Sequence, residues 1–218
     1  TYMCAFLGDG TEYGSKAMLL ATGARYRKLG IPGEDDLIGV CVHFCATCDG
    51  AFYKDQKLLV IGGGNSGFEE GLFLTKFASQ VDIVEFNPQV KASKILQEKV
   101  AEKSNMSVIT NHAVREFKGQ GRLKSVVVED RATGELKEWQ YNGVFVFIGL
   151  SPNSDLVKGM LEIDDYNFLV TDKTMMTTLP GLFAAGDVRA DSTKQAASAV
   201  GEGASADIMI RKYLEENA

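Results

Sequence analysis

Uninterrupted apolar runs punctuate the chain, and each reads as a buried strand. Lys57-Leu58-Leu59-Val60-Ile61 and the V-F-V-F-I segment inside Gly143 to Gly149 lack the polar alternation of a half-solvated strand. That pattern suits a parallel sheet covered on both faces. Between the first run and a second strand, Val81 to Glu85, lies a predicted helix from Asn65 to Ala78. Its Phe68, Leu72, Phe73, Leu74 and Phe77 point to several sides, as in a helix covered on more than one face. From Met106 the pattern turns to β structure, with strands at 107–110, 113–117, 123–129 and 136–141 and a turn at Arg131-Ala132-Thr133-Gly134.

The two ends differ from this middle block. Residues 1–14 predict a hairpin, with Met3, Ala5 and Leu7 alternating before a Gly8-Asp9-Gly10 turn. A buried strand follows at Lys16 to Leu20. So apolar an opening edge should have neighbours, and residue 1 reads as a cut rather than a beginning. Near the other end, strands are expected at Leu169 to Thr171 and Leu182 to Ala185, then a helix from Gln195 to Tyr213. That helix contains Gly201-x-Gly203-x-x-Ala206, which no strand precedes, so the glycines predict close helix packing rather than a nucleotide turn. The pattern is α/β, with a block from about residue 25 to 150 inserted into a second unit made of 1–24 and 151–218.

Composition narrows the functional classes. Of 218 residues, 45% are hydrophobic and 24% charged, which is ordinary for a globular chain. The net charge of −6 argues against nucleic acid or an anionic membrane as partner. No apolar run is long enough to span a bilayer. Four cysteines do not make a disulfide framework; three of them crowd around one place, which suits a reducing cytoplasm and a working redox pair.

That place is Cys45-Ala46-Thr47-Cys48-Asp49, just ahead of Gly62-x-Gly64-x-x-Gly67. Two cysteines three positions apart close and reopen a disulfide with little backbone movement. A helix start at Cys45 would lower its pKa and enrich the attacking thiolate. Asp49 disfavours a neighbouring thiolate, so its expected task is to carry protons as thiols form and break. The competing reading is a structural zinc site built from Cys41, His43, Cys45 and Cys48, but such sites usually draw on two separated pairs, and no second pair exists. His43 reads as a packing or substrate-facing residue.

The glycine turn sits between a strand and a helix, the context that the dinucleotide fingerprint requires. A pyrophosphate would rest on the N–H groups at the helix start, formed by Asn65, Ser66 and Gly67. Glu85 ends the second strand at the distance where an acidic side chain meets the adenosine ribose and repels a 2′-phosphate, which favours NADH over NADPH.

The chain resembles the low-molecular-weight thioredoxin reductases, flavoproteins of the pyridine nucleotide–disulfide oxidoreductase superfamily. The matching segments are Ala21-Thr22-Gly23, Cys45 to Gly50, Gly62 to Gly67, Ile148 to Asn153 and Pro180 to Asp187, in that family's order. The resemblance implies two Rossmann-like three-layer domains: an NAD(P)-binding domain, 25–150, inserted into an FAD domain whose amino-terminal G-x-G-x-x-G is missing here. It implies that Gly186 and Asp187 meet the FAD ribityl chain, Gln195 and Ala196 the flavin ring, that Cys48 faces the flavin, that Cys45 attacks the thioredoxin disulfide, and that Asp49 is the acid–base group. It further implies a homodimer, and a rotation of the inserted domain about hinges near Gly23 and Gly149. NADPH-using members carry a basic H-R-R-x-x-x-R cluster where this chain has Glu85-Phe86-Asn87-Pro88-Gln89-Val90-Lys91. That departure keeps a second donor, ferredoxin, in view alongside NAD(P)H, and a non-enzymatic zinc or redox-sensing module stands as a third reading.

Overall fold

A computed structural model describes residues 2–218. In chain order the first elements are β1 (Met3–Phe6), β2 (Glu12–Ser15), β3 (Met18–Leu20), β4 (Ala24–Tyr26), α1 (Glu34–Leu37), β5 (Val42–His43) and α2 (Ala46–Asp49). Next come β6 (Lys57–Ile61), α3 (Asn65–Leu74), β7 (Gln80–Val84), α4 (Lys94–Ala101), β8 (Met106–Ile109), β9 (His112–Gly119), β10 (Leu123–Asp130) and β11 (Leu136–Trp139). The last are β12 (Gly143–Val146), β13 (Leu150–Pro152), β14 (Leu182–Ala184) and α5 (Ala196–Glu216). The chain forms two compact units: Tyr26–Gly149, and the segments up to Arg25 and from Leu150 onward.

The Tyr26–Gly149 unit is built on a parallel sheet of order β5-β12-β6-β7-β8. Successive residues of a strand face opposite sides, so one apolar run feeds two cores. Leu58 and Val60 of β6 pack with Phe68 and Leu74 of α3, Val81 and Ile83 of β7 and Phe145 of β12. Leu59 and Ile61 turn the other way, against Val114 and Phe117 of β9 and Val126 and Val128 of β10. The second cover is an antiparallel sheet, β11-β10-β9. The unit is thus three layers, helix, parallel sheet and antiparallel sheet, and the unbroken apolar strands are explained by burial on both faces. Helix α3 stops at Leu74, short of the predicted Ala78, and the segment beyond it turns so that Phe77 N–H meets Leu74 O.

In the other unit, β1 and β2 form the expected hairpin, pairing Met3 with Ser15 and Phe6 with Glu12. Its Phe6 and Tyr13 are largely exposed. Strand β3 pairs in parallel with β14, Leu20 opposite Ala184. A small core gathers Leu20, Val157, Leu161, Leu169, Leu182, Ala184 and Val188. Strand β4 pairs with β13.

Two expectations fail here. Leu169 to Thr171 is not a strand: Leu169 N–H goes to Val188 O while Val170 N–H goes to Glu162 O, so consecutive residues address different segments and only isolated bridges form. Gly201 and Gly203 do not mediate close packing either. Among the described residues, a methyl group built on either would meet nothing within 4 Å, and of that motif only Ala206 is buried.

Leu59→Ala should cost about 2–5 kcal/mol, because the side chain is wholly buried and the two-sided sheet around it relaxes only partly. Equilibrium urea unfolding monitored by circular dichroism measures it; a loss well under about 1 kcal/mol would contradict the packing described.

Candidate functional site

Strand β5 is only two residues long, and its pairing with β12 sets Val42 beside Val144 and His43 beside Phe145. Val42 joins the core under the antiparallel sheet, so the sheet period sends His43 to the opposite face, where its ring lies 5.2 Å from Phe145. Two residues on, Cys45 caps the single turn of α2, accepting the Cys48 N–H on Sγ at 3.2 Å. Cys45 and Cys48 form a disulfide with Cα atoms 5.3 Å apart. Cys48 is exposed and Cys45 half-buried, so the sulfur pair reaches the surface. When the bond is open, the N–H that now points at Cys45 Sγ would stabilise a thiolate there.

The four residues of the competing zinc reading are not brought together. Two of its sulfurs are bonded to each other, and Cys41 packs in the core with Leu37, Val42 and Leu123. Burial pushes the Cys41 thiol above its ordinary value. Among the described residues no group of three metal-binding side chains converges.

His43 connects Asp49 to the interior. Its Nδ1 lies 3.3 Å from Asp49 Oδ2 and its Nε2 2.6 Å from the Tyr53 hydroxyl. Tyr53 belongs to a 3₁₀ turn, Gly50–Tyr53, that continues directly from α2. A Cβ on Gly143 would stand 2.5 Å from the Tyr53 ring, so only glycine there admits the tyrosine. Burial holds the imidazole below its ordinary pKa, with Asp49 pulling the other way. Burial, with Cys41 and Asp49 adding to it, pushes the Tyr53 phenol up to about 12. Asp49 and Tyr53 lie six and ten residues after His43 in sequence, yet no periodicity marks them; what the sequence offers is only a polar residue on an apolar strand.

The glycine turn lies at the end of β6. Gly62 has φ 122, and a Cβ on it would strike Phe147 O at 2.3 Å; one on Gly67 would strike Gly62 O at 1.9 Å. These two glycines close the turn against the sheet and bring the helix down on the turn. Gly64 differs: among the described residues a Cβ there would meet nothing within 4 Å, so its face is open. Helix α3 begins at Asn65 with no side-chain cap, leaving its first N–H groups to the same open side. Asn65 Oδ1 is turned to Ser93 N–H at 2.8 Å, and Ser66 is exposed.

Glu85, the expected ribose contact, follows the end of β7. It is buried, and its carboxylate accepts Gly63 N–H at 2.7 Å and both the backbone and side-chain N–H groups of Asn87 at 2.8 and 2.6 Å. Gly63 O in turn accepts Lys91 and Ala92 N–H. The turn is therefore strapped from below by the segment after β7. Beside it, Arg131 from the β10–β11 turn stacks on Phe86 at 3.6 Å and donates to Phe86 O, a cation that the local run Glu85 to Lys91 does not announce.

The second unit holds the other predicted contacts. Gly186 and Asp187 form a 3₁₀ turn after β14, and Gln195 and Ala196 begin α5, again with no side-chain cap. Glu202 of α5 joins the two by accepting Gly186 N–H at 2.8 Å and pairing with Arg189 at 3.1 Å. Asp187 Oδ1 is buried without a hydrogen-bond partner among the described residues, which a ligand hydroxyl would supply. Gln195 and Ala196 are exposed. An orphaned carboxylate oxygen next to an uncapped helix start fits the polar chain of a flavin nucleotide. In the first unit, the open glycine and the uncapped α3 fit a pyrophosphate.

A family model described as pyridine nucleotide-disulphide oxidoreductase matches residues 3–203. The thioredoxin reductase of Peptoclostridium acidaminophilum is 41% identical over 216 residues, spanning 96% of this chain and 69% of that protein. That of Peptoclostridium litorale is 43% identical, over 94% of this chain and 67% of the other. Among solved structures, a thioredoxin reductase from Streptococcus pyogenes superposes with a TM-score of 0.90 at 39% identity, covering 99% of this chain and 70% of that one. This chain thus spans about two thirds of its relatives' length.

Because the folded protein holds His43 neutral, the unfolded chain binds the extra proton first, and the neutral-state advantage present above the unfolded value of 6.5 is lost as pH falls through the lower folded value. Glu70 opposes this trend, since burial and Glu69 hold its carboxyl up against the Ala46 N–H. The wild type should therefore lose more stability than His43→Asn between about pH 7.5 and about pH 5.5. Urea midpoints of both proteins at the two pH values measure the difference, and equal losses would contradict it.

Proposed function

The chain belongs to the pyridine nucleotide-disulphide oxidoreductase family, and we propose that it is a thioredoxin-disulfide reductase that passes electrons from a nicotinamide, through FAD, to the Cys45–Cys48 pair and on to a thioredoxin disulfide. The carrying observation is the exposed disulfide at a helix start, linked through Asp49 to a buried imidazole and followed at once by an open glycine turn. When bound, FAD supplies the two-electron exchange that neither dithiol nor nicotinamide performs on the other alone.

The chain's own residues take the remaining roles. Cys45, as thiolate, attacks the thioredoxin disulfide, and Cys48 then displaces the reduced partner by closing the disulfide again. The two electrons leave with the partner's thiols, and the protons lost by Cys45 and Cys48 balance those gained there, with Asp49 as the group that takes up and returns a proton. Gly62, Gly64, Asn65, Ser66 and Gly67 bind the nicotinamide dinucleotide at the start of α3, and Glu85 shapes their turn from beneath. Asp187 with Gly186, and Gln195 with Ala196, bind the flavin nucleotide. Gly23 and Gly149 have φ of 71 and 101, conformations suited to hinges between an inserted nucleotide domain and an FAD domain. The working form is a homodimer in the reducing cytoplasm. No helix among the described residues is long and apolar enough to cross a membrane.

A second donor has an observation in its favour. Where a 2′-phosphate would need cations, Phe86 and Asn87 stand beside the buried Glu85 carboxylate, and Arg131 is committed to the Phe86 ring and carbonyl. This favours NADH over NADPH and equally suits ferredoxin as the electron source, with no nicotinamide used.

The FAD-loaded protein, mixed anaerobically in turn with NADH, NADPH and reduced ferredoxin, should be bleached by NADH faster than by NADPH. Bleaching by ferredoxin alone would replace the nicotinamide reading with the second one, and bleaching by none would overturn both. Cys48→Ser should keep flavin reduction yet lose transfer to thioredoxin by at least about a hundredfold, read as thiol release. Undiminished turnover would remove Cys48 from the reaction.

A further inference from the structure

Behind Asp49 the structure holds a continuous run of polar atoms that the disulfide chemistry does not by itself require. Asp49 Oδ2, His43 Nδ1, His43 Nε2 and the Tyr53 hydroxyl follow one another at 3.3 and 2.6 Å across the imidazole. His43 and Tyr53 are 7% exposed each, whereas Asp49 is partly open beside the disulfide. Tyr53 also lines a cavity of about 470 Å³, together with Cys41, Gln56, Arg122, Lys124 and Asn142. Neither Cys45, Cys48, Asp49 nor His43 lines it. Tyr53 is thus shared between this run and a separate water-accessible space.

We propose that His43 and Tyr53 form a relay that exchanges one proton between Asp49 and water in this cavity, and that positions Asp49 in both of its protonation states. The proposal rests on the acid–base role given to Asp49 above. With Asp49 ionised, Tyr53 O–H donates to His43 Nε2, and His43 Nδ1–H donates to the carboxylate. When a water proton arrives at the Tyr53 oxygen, the phenol passes its own proton to Nε2, and Nδ1–H passes to Asp49. The imidazole is now the Nε2–H tautomer, donating to Tyr53 and accepting from the protonated acid. One proton has entered and one has appeared on Asp49, with no charge left on histidine or tyrosine. Reduction of the disulfide breaks one S–S bond and takes up two electrons and two protons, one of them through Asp49; reoxidation sends that proton back along the same path.

The surroundings suit neutral exchange rather than an ion. Phe145 packs on the imidazole from β12 and carries no charge; the titratable neighbours are Asp49 from α2, Tyr53 from the 3₁₀ turn, the Cys41 thiol beside Tyr53, and Arg122 and Lys124, which line the cavity with Tyr53. Burial disfavours an imidazolium at His43 and a phenolate at Tyr53, so both stay neutral while a tautomer shifts. Neutral histidine can donate from one nitrogen while accepting on the other, which is the property such a relay needs. Two neutral arrangements therefore satisfy every atom in the run.

Long-range ¹H–¹⁵N spectra of the unaltered oxidised protein report the tautomer directly, with His112→Gln used to assign the other of its two histidines. His43 should carry its proton on Nδ1 at high pH and on Nε2 at low pH, without becoming doubly protonated. A second measurement follows reduction of Cys45–Cys48 by dithiothreitol, which supplies the two electrons, in mixtures of H₂O and D₂O. The wild type should give a curved proton inventory, and Tyr53→Phe a linear one at a rate lowered by about tenfold. An unchanging tautomer, an imidazolium, or the same curvature and rate in Tyr53→Phe would overturn the relay. Neither measurement needs flavin, nicotinamide or thioredoxin, so either result stands whether or not the chain reduces thioredoxin.

Discussion

The parallel pairing of two residues, Val42 and His43, with Val144 and Phe145 is what the redox site depends on. This edge pairing anchors the chain immediately before Cys45, and the period of the sheet sends the two side chains to opposite cores. Val42 anchors the strand among apolar side chains, and His43 emerges on the face where α2 starts. Everything downstream follows within one short stretch: the cap at Cys45, the turn of helix, Asp49 against the imidazole, and Tyr53 closing the run. A slip of one residue would exchange the two faces and bury the imidazole among Leu37, Val114 and Val126 instead.

The same sheet carries the glycine turn at the end of β6, next to β12. The two functional stretches, the dithiol and the glycines, therefore leave neighbouring parts of one rigid layer. Their distance in sequence is short because the intervening chain is only a helical turn and the way back into the sheet. The glycine turn is held from two directions, by Phe147 O above Gly62 and by the Glu85 carboxylate beneath Gly63. A carboxylate used in this manner costs the unit a buried charge, and three N–H donors offset it.

Much of this was legible in the sequence where burial is two-sided. The run Leu58 to Ile61, the glycines and the apolar positions of α3 identify strand, turn and helix because each pattern has one physical solution. The spacing of Cys45 and Cys48, followed by Asp49, likewise reads directly as a dithiol. What stayed hidden depends on partners. Strand β5 is too short to show a period, and His43 is a lone polar letter until the fold brings Tyr53 and Asp49 to its two nitrogens. Glu85 was legible as the acidic end of a strand but not as a strap, because the N–H groups it holds are revealed only by the turn. Leu169 and Val170 have strand-like side chains, yet their backbone groups face different segments. Gly201 and Gly203 show the opposite error: small residues suggest a close neighbour, and within the described residues none lies beside them.

The brevity of β5 has one more consequence. A sheet edge offers unpaired N–H and C=O groups to any extended peptide, and long apolar edges invite association between copies of a protein. Here the edge next to the disulfide is only two residues long before the chain bends into α2, Val42 O already accepts Gly39 N–H at 3.0 Å in a bridge with Ile38, and both side chains there are buried. A visiting strand would find too few ladder positions to settle. The disulfide can thus reach the surface on a border that gives stray chains little to grip.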